Sequence, residues 1–389
     1  MGGGKNVSCG MFEAFIFTAA LIGGTACSLS SKTMLGLSGE GMTGETEAFS
    51  KPIFQTFGMF LGMVTGLLMH VVVKAFHIPF PGYVHSETSS SDSVPMWMYF
   101  LLIIPSVFDL LATALCMLGL RDVNVSVYQM LRGSAIVFVA ILKHFALGDK
   151  LRKFMWVGGG WNVVSIILVG LVAILTASDS ETTESSSAVR GVTLILAGAF
   201  VQSLQYAFEE KVMTADVAAP PLLLIGMEGL WGTLLCLFIV YPIAYLTPGD
   251  DHGSYENPEN TWYMFTHSSE IQKIFFIYFL SILSYNVLAV LVTYTLNSVW
   301  HAILDNFRPI TVWCSDLFMY YIITKAYGEE WTNWSYVQLL GLVVLLYGTA
   351  VYNAPNSGSL ELRGGFWSMG LDFSYEYEEM SATLAEMEF

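Results

Sequence analysis

Charge is scarce in this chain. Lys, Arg, Asp and Glu make up 12% of its 389 residues, about half the share of an ordinary soluble domain. Too few charges remain to coat a water-soluble globule, so a soluble enzyme is excluded as the default. Positive charge is scarcer still. The 16 Lys and Arg stand against 32 Asp and Glu, for a net charge of −16. The basic footprint that nucleic acid needs is missing. Cysteine is sparse and scattered: Cys9, Cys27, Cys116, Cys236 and Cys314. No CxxC or Cys/His ligand spacing occurs, so neither a disulfide framework nor a zinc site is read. No metal and no cofactor is expected. Catalytic signatures are lacking too. There is no GxSxG elbow, no HExxH and no P-loop lysine pattern, and Gly158-Gly159-Gly160 has no phosphate-loop context. The N-terminus lacks the Ser/Thr of a myristoylation signal. The first apolar run is long and is followed by Ser28, Ser30, Ser31 and Lys32, so it reads as a retained helix rather than a cleaved leader.

What is abundant is apolar. Hydrophobic residues reach 54%, in runs near the roughly 20 residues that cross a bilayer as helix. Ten such runs can be counted, at 12–32, 54–76, 96–118, 124–142, 154–176, 190–211, 221–246, 271–296, 299–324 and 334–353. Runs 3/4 and 8/9 nearly merge, which predicts tight antiparallel hairpins. Acidity gathers between the runs: Glu40, Glu45 and Glu47; Asp179, Glu181 and Glu184; Asp250, Asp251, Glu256 and Glu259; and the tail from Asp372. Lys150, Arg152 and Lys153 between helices 4 and 5, with an even helix count, place both termini in the cytosol.

The halves carry matched landmarks at a shift of about 176–180 positions. Gly148-Asp149-Lys150 precedes helix 5 and Gly328-Glu329-Glu330 precedes helix 10. Arg132 lies in helix 4 and Arg308 in helix 9. Thr25, Ser28 and Lys32 run at i, i+3, i+7 in helix 1, as Gln202, Gln205 and Glu209 do in helix 6. An odd-numbered repeat inserts its second copy upside down. The expected fold is therefore an all-α membrane protein of ten transmembrane helices. They form two inverted five-helix repeats, 1–177 and 188–353, followed by an acidic cytosolic tail, 354–389.

Ionisable groups within the apolar runs are the informative positions, since each costs at least ~2.5 kcal/mol facing lipid at midplane. Arg132 shares a helix face with Gln129 at i−3, beside Tyr128; Arg308 shares one with Asp305 at i−3, beside Asn306. A fixed guanidinium in a cavity suits a carboxylate or phosphate. The alternative is an interior ion pair, Arg308 with Asp305 and Arg132 with Asp109. Pro309 is expected to kink or break the helix beside Arg308. Asp109 reads as a proton-coupling carboxylate or as the partner of Arg132. Glu209 continues the Gln202/Gln205 face. Glu228, flanked by Gly226, Gly229 and Gly232, reads equally as a substrate contact and as part of a packing seam. His70, His144 and His301 read as isolated interfacial residues.

At these residues the chain resembles a known family. Ten helices in two halves, with a Gly-Asp/Glu step before the last helix of each, resemble the drug/metabolite transporter superfamily. Gln129-Met130-Leu131-Arg132-Gly133, Glu209-Glu210-Lys211, Glu228-Gly229-Leu230-Trp231-Gly232, Leu304-Asp305-Asn306-Phe307-Arg308 and Gly348-Thr349-Ala350-Val351-Tyr352-Asn353 resemble the solute carrier 35 family, F6-like branch. That branch is related to nucleotide-sugar transporters and EamA-type permeases. The resemblance covers about residues 12–353. It implies the inverted-repeat fold, alternating access and residence in an endomembrane, lysosome/vacuole or Golgi. It supplies no substrate.

The reading is a secondary transporter of a small organic anion, with a cavity lined by helices 1, 3, 4, 6, 8 and 9. Its candidate translocation residues are Tyr128, Gln129, Arg132, Asp109, Gln205, Glu209, Glu228, Asp305, Asn306 and Arg308. Arg132 is expected to be the freer anion contact and Asp305–Arg308 a gate or coupling pair. The partners expected are the lipid bilayer, the small-molecule substrate and, left open, a second copy of the chain. The rival reading is a non-transporting scaffold or receptor, whose tail offers Tyr377-Glu378-Glu379-Met380 as a sorting signal; a membrane enzyme using Asp109, Glu209 and Asp305 ranks lower.

Overall fold

The computed structural model describes residues 11–83, 95–120, 122–123, 125–147, 151–179, 185–214, 219–296, 298–323, 330–352, 368 and 370–372. Several expectations lie outside these residues: the Tyr377–Met380 signal, nearly all of the acidic tail, Gly148-Asp149-Lys150 and Gly328-Glu329.

The chain folds into helices because an apolar run in hydrocarbon has to satisfy its backbone groups within itself. The helices are α1 (Met11–Leu35), α2 (Pro52–Ala75), α3 (Met96–Leu120) and α4 (Val125–Arg132 continued by Ala135–Leu142). There follow α5 (Lys153–Asp179), α6 (Ser185–Met213), α7 (Pro221–Leu246), α8 (Ser269–Thr295), α9 (Ser298–Phe318) and α10 (Ser335–Tyr352). Eight of them are long and apolar enough to cross a membrane. The two others, α4 and α9, carry the arginines. The chain is an all-α, multi-pass membrane protein.

Two loops hold structure that apolar periodicity does not report. Residues 33–51 form a small ribbon, β1 (Ser38–Glu40) antiparallel to β2 (Thr46–Ala48). Residues 247–268 contain a short helix, Pro258–His267, capped by the Asn257 side chain. The two loops join through buried charge. The Lys51 ammonium pairs with Asp251, and Asn260 Nδ2 donates to Glu47 and to Asp251, both at 2.8 Å. Glu256 is fully buried, and its carboxylate accepts from Ile53 N at 2.7 Å and Phe54 N at 2.8 Å, capping the first turn of α2. Glu47, Asp251 and His252 bring their ligand atoms within 4.8 Å of one another, but Lys51 already supplies the positive charge there.

Two expectations about α4 and α9 are corrected. The run 124–142 is not one helix. It breaks after Arg132, where Gly133 N and Ser134 N turn back three residues to Met130 O and Leu131 O. The glycine has room for nothing more, since a Cβ there would stand 2.6 Å from Asn306 Oδ1. Conversely, α9 runs unbroken through Pro309. A proline removes only its own N–H bond, and the buried neighbours on both sides hold the helix. Gly133 and Pro309 are thus a pair of helix-perturbing residues 176 positions apart. Five-residue π-helical turns follow at the same spacing, Lys143–Leu147 after α4 and Met319–Ile323 after α9.

The main interfaces are α1–α8, α3–α6, α2–α7 and α5–α10. Exchanging each helix for the one five places along turns α1–α8 into α6–α3 and leaves α2–α7 and α5–α10 as they are. Lesser contacts follow the same rule, α2–α8 matching α7–α3 and α1–α9 matching α6–α4. The α2–α7 seam is a close one. Gly226, Gly229 and Gly232 press their backbone on α2, and a Cβ on Gly229 would meet Val64 N at 2.5 Å. That gives the Gly226–Gly232 segment its packing role.

Gly229→Val should force α2 and α7 apart, at a cost of about 1–3 kcal/mol or more. A thermal melt of the purified protein in detergent should show a clearly lowered midpoint. Burial pushes the Glu256 carboxyl from 4.5 up to about 7, against the pull of Ile53 N, Phe54 N and Lys51. The folded chain therefore keeps this proton to higher pH than the unfolded chain. Its contribution to stability is complete below 4.5 and lost as pH rises through about 7. The melt should decline across that interval more steeply than in Glu256→Gln.

Candidate functional site

A cavity of about 110 Å³ lies in the middle of the bundle. The two polar faces read at i, i+3, i+7 both open onto it, through Ser28 and Lys32 on α1 and through Gln202, Gln205 and Glu209 on α6. Its walls come from α1, α3, α4, α6, α8 and α9, with α2 and α7 added by Met63 and Ile225.

Arg132 and Arg308 both line this cavity, and their surroundings differ. Arg308 Nη2 lies 3.1 Å from Asp305 Oδ1, and its guanidinium sits 5.1 Å from the centroid of the Tyr285 ring. Asp305 also accepts from the hydroxyls of Tyr206 at 2.6 Å and Tyr285 at 2.8 Å. This charge is matched and its acceptor is well occupied. Arg132 has only neutral partners: Nη1 donates to Tyr128 Oη at 3.4 Å and Nη2 to Gln202 Oε1 at 3.2 Å. Among the described residues it makes no ion pair. Asp109 is not its partner; that carboxylate accepts from Thr113 at 3.3 Å, one turn along α3.

The cavity brings together seven of the ten candidates: Asp109, Tyr128, Gln129, Arg132, Gln205, Glu209 and Arg308. Gln129 Nε2 ties α4 to α1 by donating to Ser28 Oγ at 3.1 Å. Three candidates stand outside the wall. Asp305 sits behind Arg308. Asn306 points away, donating to Thr349 on α10 at 3.0 Å. Glu228 is fully buried and meets the cavity face only through Gln205 Nε2, which donates to it at 2.6 Å. Neither Glu228 nor Asn306 lines this cavity. Each is walled off because helices meeting through glycine, α7 on α2 and α4 on α9, leave no open space beside them.

Other cavity residues escaped the sequence reading. His301 is buried rather than interfacial: it stacks on Tyr206 with ring centroids 3.9 Å apart and hydrogen-bonds Thr293 at 2.8 Å. Tyr206 and Tyr285 count as apolar in a hydropathy run, so their hydroxyls left no signal. Lys32, the last position of the polar face on α1, lies 3.4 Å from Asp316 on α9. Their separation in sequence hides that pair.

No family model matches the chain. Curated proteins do match over nearly its whole length. Solute carrier family 35 member F6 of Homo sapiens is 27% identical over 347 residues, 88% of this chain and 89% of its own. The Mus musculus protein of the same name is 26% identical over 363 residues, 92% and 93% of the two chains. Over nearly its whole length the chain is thus similar to proteins named as solute carrier 35 members. An uncharacterised Schizosaccharomyces pombe protein is 28% identical over 315 residues, 78% of this chain and 87% of its own. The fold also has a counterpart among solved crystal structures. One superposes with a TM-score of 0.53 at 10% identity, over 88% of this chain and 96% of that one. At that identity the likeness speaks for the fold alone.

The two arginines predict different mutant behaviour. Asp305→Ala leaves a buried guanidinium without its carboxylate, and should cost about 3–5 kcal/mol. The protein should accumulate poorly and melt early in detergent. Arg132→Gln abandons no carboxylate and should melt close to the wild type. Equal melts for the two variants would contradict this division.

Proposed function

We propose that the chain is a secondary transporter that carries a small organic anion across an endomembrane by alternating access. On this reading ten helices form two inverted repeats, 1–177 and 188–353, and both termini face the cytosol. The observation that carries the proposal is Arg132. A guanidinium in the bundle interior, open to a cavity and without a carboxylate of its own, is a ready partner for an anionic oxygen. Its counterpart Arg308 already faces the Asp305 carboxylate, so the unmatched charge lies at one arginine. The interfaces preserved under the five-helix exchange, and the π-helical turns after α4 and α9 at one spacing, support the repeat. The names of the relatives support a carrier rather than an enzyme. The cavity's setting supports alternating access: helices of both halves wall it, so a solute crosses only if those helices part.

The test is counterflow in liposomes. Purified protein is preloaded in turn with small carboxylates, organic phosphates and nucleotide sugars, alongside neutral and cationic controls. Saturable uptake should appear for an anionic class. Arg132→Gln should reduce it by about tenfold or more, the worth of a charge-assisted contact. Uptake confined to neutral or cationic solutes, or indifferent to Arg132→Gln, would overturn the reading.

A further inference from the structure

Three carboxylates stand at the cavity wall or just behind it. Glu209 and Glu228 are joined by one amide: Gln205 Nε2 donates to Glu209 Oε1 at 2.8 Å and to Glu228 Oε1 at 2.6 Å. Two acceptors on one nitrogen lie within about 5.5 Å of each other. Asp109 lines the same cavity from α3. Glu228 Oε2 is buried and has no hydrogen-bond partner, and no cation pairs with any of the three carboxylates among the described residues.

The elements packed around the pair supply nothing to neutralise it. On α4, Arg132 reaches it only through Gln202, and Lys143 is engaged by Glu210 at 2.8 Å. On α9, Arg308 is engaged by Asp305 and His301 by Thr293. Lys32 on α1 pairs with Asp316. On α2, His70 bonds Tyr83; α8 contributes the phenols Tyr278 and Tyr285. Two neighbouring anions in a low-dielectric interior cannot both persist without a counter-charge, and the usual resolution is one shared proton.

The amides then join this pair to Arg132. Arg132 Nη2 donates to Gln202 Oε1, Gln202 Nε2 donates to Gln205 Oε1 at 2.6 Å, and Gln205 Nε2 donates onward to the carboxyls. The direction of this relay is set at both ends. A guanidinium can only donate, and an ionised carboxylate can only accept. Gln202, Gln205 and Glu209 keep this order because they share one face of α6.

We propose that Glu209 and Glu228 form the coupling-ion site of the transporter, holding one proton between them, and that the Gln202–Gln205 relay links this proton to the occupancy of Arg132. This rests on the transport reading above. An anion at Arg132 competes for the guanidinium that polarises the relay, so solute and proton are linked by reciprocal coupling. Asp109 and the Asp305–Arg308 pair, which the sequence offered for coupling, stand outside the relay.

The test reads the proton without needing the solute. Infrared spectra of the reconstituted full chain should show, at neutral pH, the C=O stretch of a protonated carboxyl that shifts in D2O. It should vanish in the double variant Glu209→Gln/Glu228→Gln and persist in Asp109→Asn. Both substitutions are near-isosteric, and a detergent melt confirms that each variant folds. In Arg132→Gln the band should survive to higher pH than in the wild type, because a cation has left the end of the relay. A wild type without the band, or a band intact in the double variant, overturns the proton site. An Arg132→Gln profile equal to the wild type overturns the relay. A band lost as expected, with no anion flux in the liposome screen, would instead overturn the transport reading and leave the proton site standing.

Discussion

Ionised groups between these helices have to be matched, and the structure is organised around that constraint. An unmatched ion in a low-dielectric interior costs several kcal/mol, so each charge at the cavity is bound to something. Arg308 has Asp305, steadied by the hydroxyls of Tyr206 and Tyr285. Lys32 has Asp316. Arg132 has two neutral oxygens and open space. Among the described residues Arg132 has no counter-ion, and that is where the transport proposal places the solute.

The two halves solve the same problem differently. A shift of 176 lays Arg132 on Arg308 and Gln129 on Asp305, so one copy carries its own counter-ion and the other does not. Both arginines stand just before a helix-perturbing residue, and the two perturbations have unlike consequences. Glycine lets the chain turn at Gly133–Ser134, while proline leaves α9 continuous. The half whose helix is broken is the one whose arginine has no carboxylate partner among the described residues.

Much of the fold was legible in the sequence because a bilayer enforces it. Length and apolarity located the helices to within a few residues, and polar faces at i, i+3, i+7 pointed at the cavity on α1 and α6. What was not legible depends on contacts distant in sequence. Lys32 and Asp316 are paired only after folding. Tyr206 and Tyr285 act through hydroxyls that hydropathy counts as apolar. Glu228 belongs to a chain of amides rather than to the wall, since nothing in Gly226–Gly232 says which face of α7 meets Gln205. The ribbon 38–48 and the helix Pro258–His267 are short and polar, and periodicity does not reach them. Arg132 and Asp109 line one cavity without pairing, because Arg132 is taken by Tyr128 and Gln202 and Asp109 by Thr113.

The loop junction at Lys51, Asp251 and Glu256 has a mechanical consequence. It fastens the start of α2 to the segment that leaves α7, and the same two helices are pressed together along the Gly226–Gly232 seam. Pulling them apart would strip the first-turn amides of α2 of their cap and break a buried ion pair at one stroke. In the transport proposal this pair serves as the stator, and the cavity opens through the helices that move against it.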